Sequence, residues 1–306
     1  MRARRSLVDL DDLAPTEIQY LFKRTRQFEE KLPKRTLLSE VACVNMFFEQ
    51  STRTLASFTL AQQRLGADII TLDPSETSLG KGERLEDAAI TLSAMGFSVM
   101  VIRHSEPGFP RQVAMAFDGH VINAGDGAHA HPTQALLDLY TICKEFGDLK
   151  GRKVAIVGDI LHSRVAHSNI LGLKNLGAEI VLVGPESFLP QSFSSDGVRV
   201  ERDLDAVLPQ VDAIMLLRIQ RERFAVTPTL ISDDDFIGGY RLDAARLTRL
   251  KDDAIVMHPG PYNRGVELVD EVLAHAGWRY ANQVRHGVFM RMAVLDFLVN
   301  GQQKIG

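Results

Sequence analysis

The sequence predicts an α/β protein of two open parallel-sheet domains joined by helices. Short apolar runs alternate with helix-length amphipathic segments, the order expected of parallel strands with crossover helices. The alternation pauses at one long helical pattern and then resumes. With 306 residues, of which 45% are hydrophobic, the chain can fill two cores.

The first strand is expected within VACVNMFF (41–48), which is apolar and ends at Ser51-Thr52-Arg53-Thr54. A helix should begin there, because Leu55, Phe58 and Leu65 recur at a spacing that shares one buried face. Further strands follow at ADIITL (67–72), FSVMVIR (97–103) and HVINA (120–124), each trailed by a helical pattern. Residues 132–153 then place apolar side chains at helical spacing before Gly147 and Gly151, which predicts a linking helix and a domain boundary. Strands resume at KVAIVGD (153–159), AEIVLVG (178–184), VDAIMLL (211–217) and DAIVMHPG (253–260). The strongly apolar 288–300, after His286-Gly287, reads as a last helix needing a docking surface on one of the domains. The domains are accordingly 1–133 with the C-terminal helix 288–306, and 134–287.

Composition narrows the function. A net charge of -4 gives no overall attraction to nucleic acid or an anionic membrane, so any anion must be held by local positive groups. No apolar stretch of signal or membrane length follows the basic start, and a cytoplasmic protein is expected. The two cysteines, Cys43 and Cys143, fit core thiols rather than a disulfide framework. His129-Ala130-His131 has no neighbouring cysteine or carboxylate group at zinc-site spacing, so no metal is expected.

Ligands of open α/β sheets bind outside the carboxyl ends of the strands. That is where the polar residues gather. Ser51 to Thr54 combine hydroxyls, a guanidinium and free N–H groups of a helix start, which suits phosphate, although Ser51 read alone is an ordinary helix cap. Arg103-His104 end the third strand, and GDGAHAHPTQ (125–134) follows the fourth with His131 and Gln134. Arg164 sits in the loop after KVAIVGD, Arg218 and Gln220 follow VDAIMLL, and His258-Pro259-Gly260-Pro261 follow DAIVM. Together these describe a site for a ligand carrying several negative charges.

The ordered set FFEQSTRT, SLGKGE, VIRHS, NAGDGAHAHPTQALLDL, VGDILHSRVAHS, LLRIQRER and MHPGPYNRGVE resembles the aspartate carbamoyltransferase catalytic chains, nearly end to end. The resemblance implies a carbamoyltransferase-like fold, with carbamoyl phosphate bound by the first domain and L-aspartate by the second. It implies transfer of the carbamoyl group to the aspartate α-amino group, a step of pyrimidine biosynthesis, without cofactor or metal. Carried over by motif, Ser51, Thr52, Arg53 and Thr54 hold the phosphate, while Arg103, His131 and Thr54 contact the carbonyl oxygen. Gln134 and the carbonyls of Gly260 and Pro261 receive the carbamoyl NH2. Arg164, Arg218 and Gln220 take the aspartate carboxylates, and Lys81 also belongs to the aspartate-binding set. Ser78 and Lys81 belong to a loop that in the family reaches a neighbouring subunit's site, which implies a homotrimer; some similar bacterial chains are complexed with dihydroorotase. Glu49 and Glu83 are expected to orient Arg53 and the Lys81 loop, and His104 and His129 to be satisfied structurally.

Leu55-Ala56 follow the STRT segment where the family often has a second arginine, and Thr59 replaces a common acidic residue. Both changes are expected to affect surface contacts rather than chemistry. The spacing from Ser78 to Lys81 is shorter than in some relatives. Ornithine carbamoyltransferases share the phosphate half but typically carry a cysteine in the motif matching 258–261, which is absent here. A dinucleotide-binding reading of KVAIVGDILHSR lacks the G-x-G-x-x-G turn, since Gly158 stands alone. A catalytically silent scaffold is the third alternative.

Overall fold

The computed structural model describes residues 5–74, 82–189, 197–221 and 232–302. The chain divides into two compact units, Met1–Leu137 with Val284–Gly306, and Asp138–Gln283. Each contains one wholly parallel sheet.

In the first unit the strands are β1 (Ala42–Phe47), β2 (Asp68–Leu72), β3 (Phe97–His104) and β4 (His120–Asp126), in the order β2-β1-β3-β4. Successive side chains of β1 point to opposite faces, yet Cys43, Val44, Asn45 and Met46 are all buried, so both faces of this strand are covered. On one face Val44, Met46, Met100, Ile102 and Val121 meet α3 (Leu85–Ala94) and α4 (Phe109–Ala116). Burial pushes the Cys43 thiol up to about 12, which makes it an inert core group. Cys143, expected to be a core thiol, is only partly buried.

The helix after β1, α2 (Thr52–Leu65), is docked by an uncommon device. Asn45 in the strand and Gln62 in the helix exchange amide hydrogen bonds of 3.0 and 2.9 Å, with both side chains fully buried. An unpaired amide there would cost about 1–3 kcal/mol, so the pair fixes which helix face turns inward. That face is Thr54, Phe58, Ala61, Gln62 and Leu65. Phe58 and Leu65 are as the spacing predicts, but Leu55 is only partly buried and Thr54 takes its place. Gly66 ends α2 with φ +86, and a Cβ there would lie 1.8 Å from the Arg35 carbonyl, so the stop requires glycine.

The preceding α1 (Pro15–Glu30) packs against the last helix, α11 (Tyr280–Asn300), which starts earlier than the apolar run 288–300 suggests. Arg24 pairs with the buried Asp296 at 2.7 Å, Thr25 meets Met290, and Arg291 lies over Phe58. The expected docking surface of the last helix is thus α1 and α2 of the first unit.

The second unit has β5 (Lys153–Val157), β6 (Glu179–Val183), β7 (Arg199–Glu201), β8 (Ala213–Leu216) and β9 (Ile255–Met257), ordered β7-β6-β5-β8-β9. Its helices are α6 (Arg164–Asn175), α7 (Leu204–Val207), α8 (Asp233–Tyr240), α9 (Ala244–Leu247) and α10 (Asp270–Ala274); α5 (Pro132–Phe146) and α11 contain the two unit boundaries. The edge strand β7 escapes sequence analysis because it is three residues long and two of them are charged. Gly147, at φ +82, follows α5 where the sequence places the end of the linking helix. No described helix is long and apolar enough to cross a membrane.

Candidate active site

Both sheets reverse direction once, and several of the candidate residues sit where they do. In the first unit the chain runs from β1 outward to β2, then returns to β3 on the other side of β1. The crevice at such a reversal lies between the carboxyl ends of β1 and β3, the place where open α/β sheets bind ligands. Ser51 to Thr54 leave β1 there and Arg103 stands at the end of β3, the two strand ends being joined by Phe48 N–H donating to the Arg103 carbonyl at 2.9 Å. In the second unit β5 leads outward to β6 and β7 and the chain returns to β8, so the reversal lies between β5 and β8. Arg164 follows β5; Arg218 and Gln220 follow β8.

The start of α2 is built to receive an anion. Ser51 takes the extended conformation of a cap residue, yet its hydroxyl makes no capping bond, which sets aside the ordinary capped-helix reading. The first-turn N–H groups therefore face outward together with Thr52 and the exposed Arg53. Arg53 pairs with no carboxylate among the described residues. A cation in the first turn opposes the helix dipole by about 0.3–1 kcal/mol, whereas a charge-assisted bond to an anion contributes about 1.5–3 kcal/mol. The local cost is offset only when an anion is present.

Arg103 is held from two sides. Its Nε lies 3.3 Å from Glu49 Oε2, and its Nη1 donates to the Ala124 carbonyl at 3.3 Å. Glu49, expected to orient Arg53, is found at Arg103: the strand neighbours β1 and β3 bring the two side chains together across more than fifty residues of sequence. His104 is structural, as expected. It stacks on Phe109 at 3.6 Å, accepts the Glu106 N–H at 3.0 Å, and burial pushes its imidazole below the ordinary value. His129 is also occupied, with Nδ1 3.0 Å from Asp126 and Nε2 3.5 Å from Asp9. His131 is buried at the head of α5, where its carbonyl accepts the N–H groups of Gln134 and Ala135. Among the described residues no group of histidine, cysteine or carboxylate side chains could hold a metal ion.

In the second unit Arg164 is the first residue of α6 rather than part of a loop, with Ser163 capping the helix through the Ala166 N–H. It is buried, although a guanidinium normally seeks water. Asp159, fully buried after β5, is the clasp here: Oδ1 accepts from the His162 ring at 2.8 Å, and Oδ2 accepts the Gln220 N–H at 2.9 Å. One carboxylate thereby ties the β5 end to the β8 end. Gly158, at φ +121, admits no side chain because a Cβ would fall 2.6 Å from the Leu217 carbonyl. Beyond β9, the Gly260 N–H donates to His258 Nδ1 at 2.8 Å, and His258 Nε2 lies 3.2 Å from Glu267. Glu267 also accepts the Asn263 N–H, so the turn bearing Gly260 and Pro261 is pinned by two buried side chains.

Asp126 and Asp159 are not among the residues expected from sequence. The available signal was a Gly-Asp pair at the end of a strand, Gly125-Asp126 and Gly158-Asp159, where a short carboxylate can reach the next strand's loop. Ser78 and Lys81, and the loop that Glu83 was expected to orient, lie outside the described residues.

Comparison with known proteins agrees along the chain. Residues 5–144 match the family model of the aspartate/ornithine carbamoyltransferase carbamoyl-P binding domain, and residues 150–298 that of the Asp/Orn binding domain. The aspartate carbamoyltransferase catalytic subunit of Acidothermus cellulolyticus is 50% identical over 278 residues, covering 90% of this chain and 85% of that protein. The catalytic subunit of M. jannaschii aspartate transcarbamoylase superposes with a TM-score of 0.87 at 31% identity, covering 98% of this chain and all of that one. Aspartate transcarbamoylase from Trypanosoma cruzi, in complex with N-(phosphonacetyl)-L-aspartic acid, gives 0.84 at 32% identity over 96% of this chain and 94% of that one.

Proposed function

The chain belongs to the aspartate/ornithine carbamoyltransferase family, and from that membership we propose the reaction and the residues that carry it. The protein is an aspartate carbamoyltransferase: it moves the carbamoyl group of carbamoyl phosphate to the α-amino group of L-aspartate, giving N-carbamoyl-L-aspartate and phosphate in pyrimidine biosynthesis. The observation that carries this is the placement of cationic and hydroxyl groups at the reversal point of each sheet, one set suited to phosphate and the other to carboxylates.

In the reaction the amine forms a bond to the carbonyl carbon and the C–O bond to phosphate breaks, with no covalent enzyme intermediate. Ser51, Thr52, Arg53 and Thr54 meet the charge growing on the departing phosphate. Arg103, His131 and Thr54 donate to the carbonyl oxygen, which becomes anionic in the tetrahedral transition state. Gln134 and the Gly260 and Pro261 carbonyls accept from the carbamoyl NH2; a methyl group in its place would leave them unpaired. Arg164, Arg218 and Gln220 receive the aspartate carboxylates, for which forked guanidinium groups suit better than ammonium.

The alternative acceptor is ornithine, and the family models alone cover both. Two arginines at the β5–β8 reversal favour a dicarboxylate over an amine-bearing side chain. Steady-state carbamoyl transfer with each acceptor decides it: aspartate is expected to exceed ornithine in kcat/KM by at least about 10³-fold, since a mismatched charge costs several kcal/mol. Preference for ornithine would overturn the acceptor assignment.

The assembly is a cytoplasmic homotrimer in this reading, with Ser78 and Lys81 supplied to a neighbouring subunit's site. Its support in the first unit is an edge strand whose faces are largely open, with Ile70 48% exposed, and the exposed Ile90 and Met95 nearby in the sequence. Co-assembling Lys81→Ala chains with His131→Ala chains should restore part of the activity that each variant lacks alone; no restoration would place each site within one chain. A larger complex with dihydroorotase is the further partner this reading admits.

A further inference from the structure

Asp126 is a buried carboxylate, 1% exposed, outside the substrate-binding set. Its two oxygens take four donors from three places. Oδ1 accepts from Asn123 Nδ2 and the Ala130 N–H, both at 2.9 Å. Oδ2 accepts the Gly108 N–H at 2.7 Å, and His129 Nδ1 lies 3.0 Å away. Its backbone closes the same loop, with Asp126 N–H donating to the Ala130 carbonyl at 3.1 Å and the His129 N–H donating to the Asp126 carbonyl at 2.9 Å. The loop 126–130 is therefore a closed ring fastened to the head of α4.

His131 is the next residue. With the Ala130 N–H and carbonyl both committed to Asp126, His131 cannot shift along or across the loop without breaking those bonds. A second contact seats the loop. The Gly127 N–H donates to the His104 carbonyl at 3.0 Å, and a Cβ on Gly127 would fall 2.7 Å from the Ser105 carbonyl and 2.8 Å from the Pro107 ring. Arg103 lies one residue before His104 and donates to the Ala124 carbonyl, two residues before Asp126. Two of the three groups assigned to the carbonyl oxygen, Arg103 and His131, are thus anchored to one short stretch of chain.

We infer that Asp126 is a positioning residue for carbamoyl transfer, fixing His131 relative to Arg103 so that both donors meet the developing oxyanion. This rests on the reading of His131 given above. Catalytic groups act through placement, and a displacement of about 1 Å can lower a rate about 100-fold. Asp126→Asn keeps the shape but replaces one acceptor oxygen by an NH2 group, so the loop loses either its fastening to Gly108 and His129 or its bonds to Asn123 and Ala130.

The test is a double-mutant cycle in the full-length protein, with urea unfolding of each variant to give the folded fraction. D126N is expected to lower kcat about 10- to 100-fold per folded enzyme, with the aspartate KM within about threefold of the parent. In D126N/H131A the rate should be within about threefold of H131A alone, because a residue acting through His131 has nothing left to place. Gly127→Ala, which pushes the loop without touching the carboxylate, should show the same lower kcat and the same non-additivity. Losses that multiply in the double variants, or a D126N that loses only stability, would overturn the inference while leaving the reaction intact. An unchanged rate in H131A would instead remove His131 from the reaction and the inference with it.

Discussion

Arg53→Ala is expected to lower kcat for carbamoyl transfer by about 10²- to 10³-fold, the usual consequence of removing one donor from a group that stabilises developing charge. Thermal stability should stay level or rise slightly. Arg53 is exposed, forms no ion pair among the described residues, and as a first-turn cation works against its own helix dipole. A residue whose only local effect is unfavourable has nothing to contribute to the fold. A fall in activity without a fall in melting temperature therefore isolates the phosphate-binding role. Arg53→Lys keeps the charge but not the two-pronged donor geometry, so it should recover only part of the loss. Phosphate affinity, followed as product inhibition, should weaken in parallel. An R53A enzyme within about threefold of the parent rate would dismiss this anion site.

Arg218→Ala is expected to act on the other substrate. It should lower kcat/KM for aspartate on the order of 100-fold while the KM for carbamoyl phosphate moves by no more than about threefold, since truncating one member of a close charge pair costs about 2–5 kcal/mol. The choice of Arg218 over Arg164 is structural. Arg164 is buried as the first residue of α6, so its removal would mix lost packing with lost binding, whereas Arg218 is only partly buried, its Nη1 donating to the neighbouring Ile219 carbonyl at 3.3 Å. Gln220 provides an internal check. Its backbone N–H is fixed by Asp159, so the turn should keep its shape when the Arg218 side chain is shortened. Equal loss for both substrates would point to a collapsed turn instead of a missing carboxylate ligand.

The two variants probe units that fold around separate sheets, and the sequence exposes that division well. Apolar runs with helical segments between them follow from what a strand buried on both faces and a helix buried on one must look like, and Gly147 marks the end of the linking helix in both readings. Arg53, Arg103 and Arg218 were likewise visible as cations placed just after apolar runs, because chain position alone puts them at a strand's carboxyl end. Ser51 was ambiguous from sequence, as cap and anion ligand use the same residue type; only its unused hydroxyl separates them.

Composition and periodicity determined eight of the nine strands among the described residues and the long helices that follow them, since these depend on interactions within a few residues. Tertiary structure alone decided that β1 lies beside β3 and β5 beside β8, and with that where the two crevices open. It also decided that Glu49 meets Arg103, that Thr54 rather than Leu55 turns inward, and that Asp126 and Asp159 clasp neighbouring strand ends. The reason is range: strand order and side-chain partners depend on crossovers and buried polar pairs that join residues far apart in the chain, and a local pattern holds no record of them.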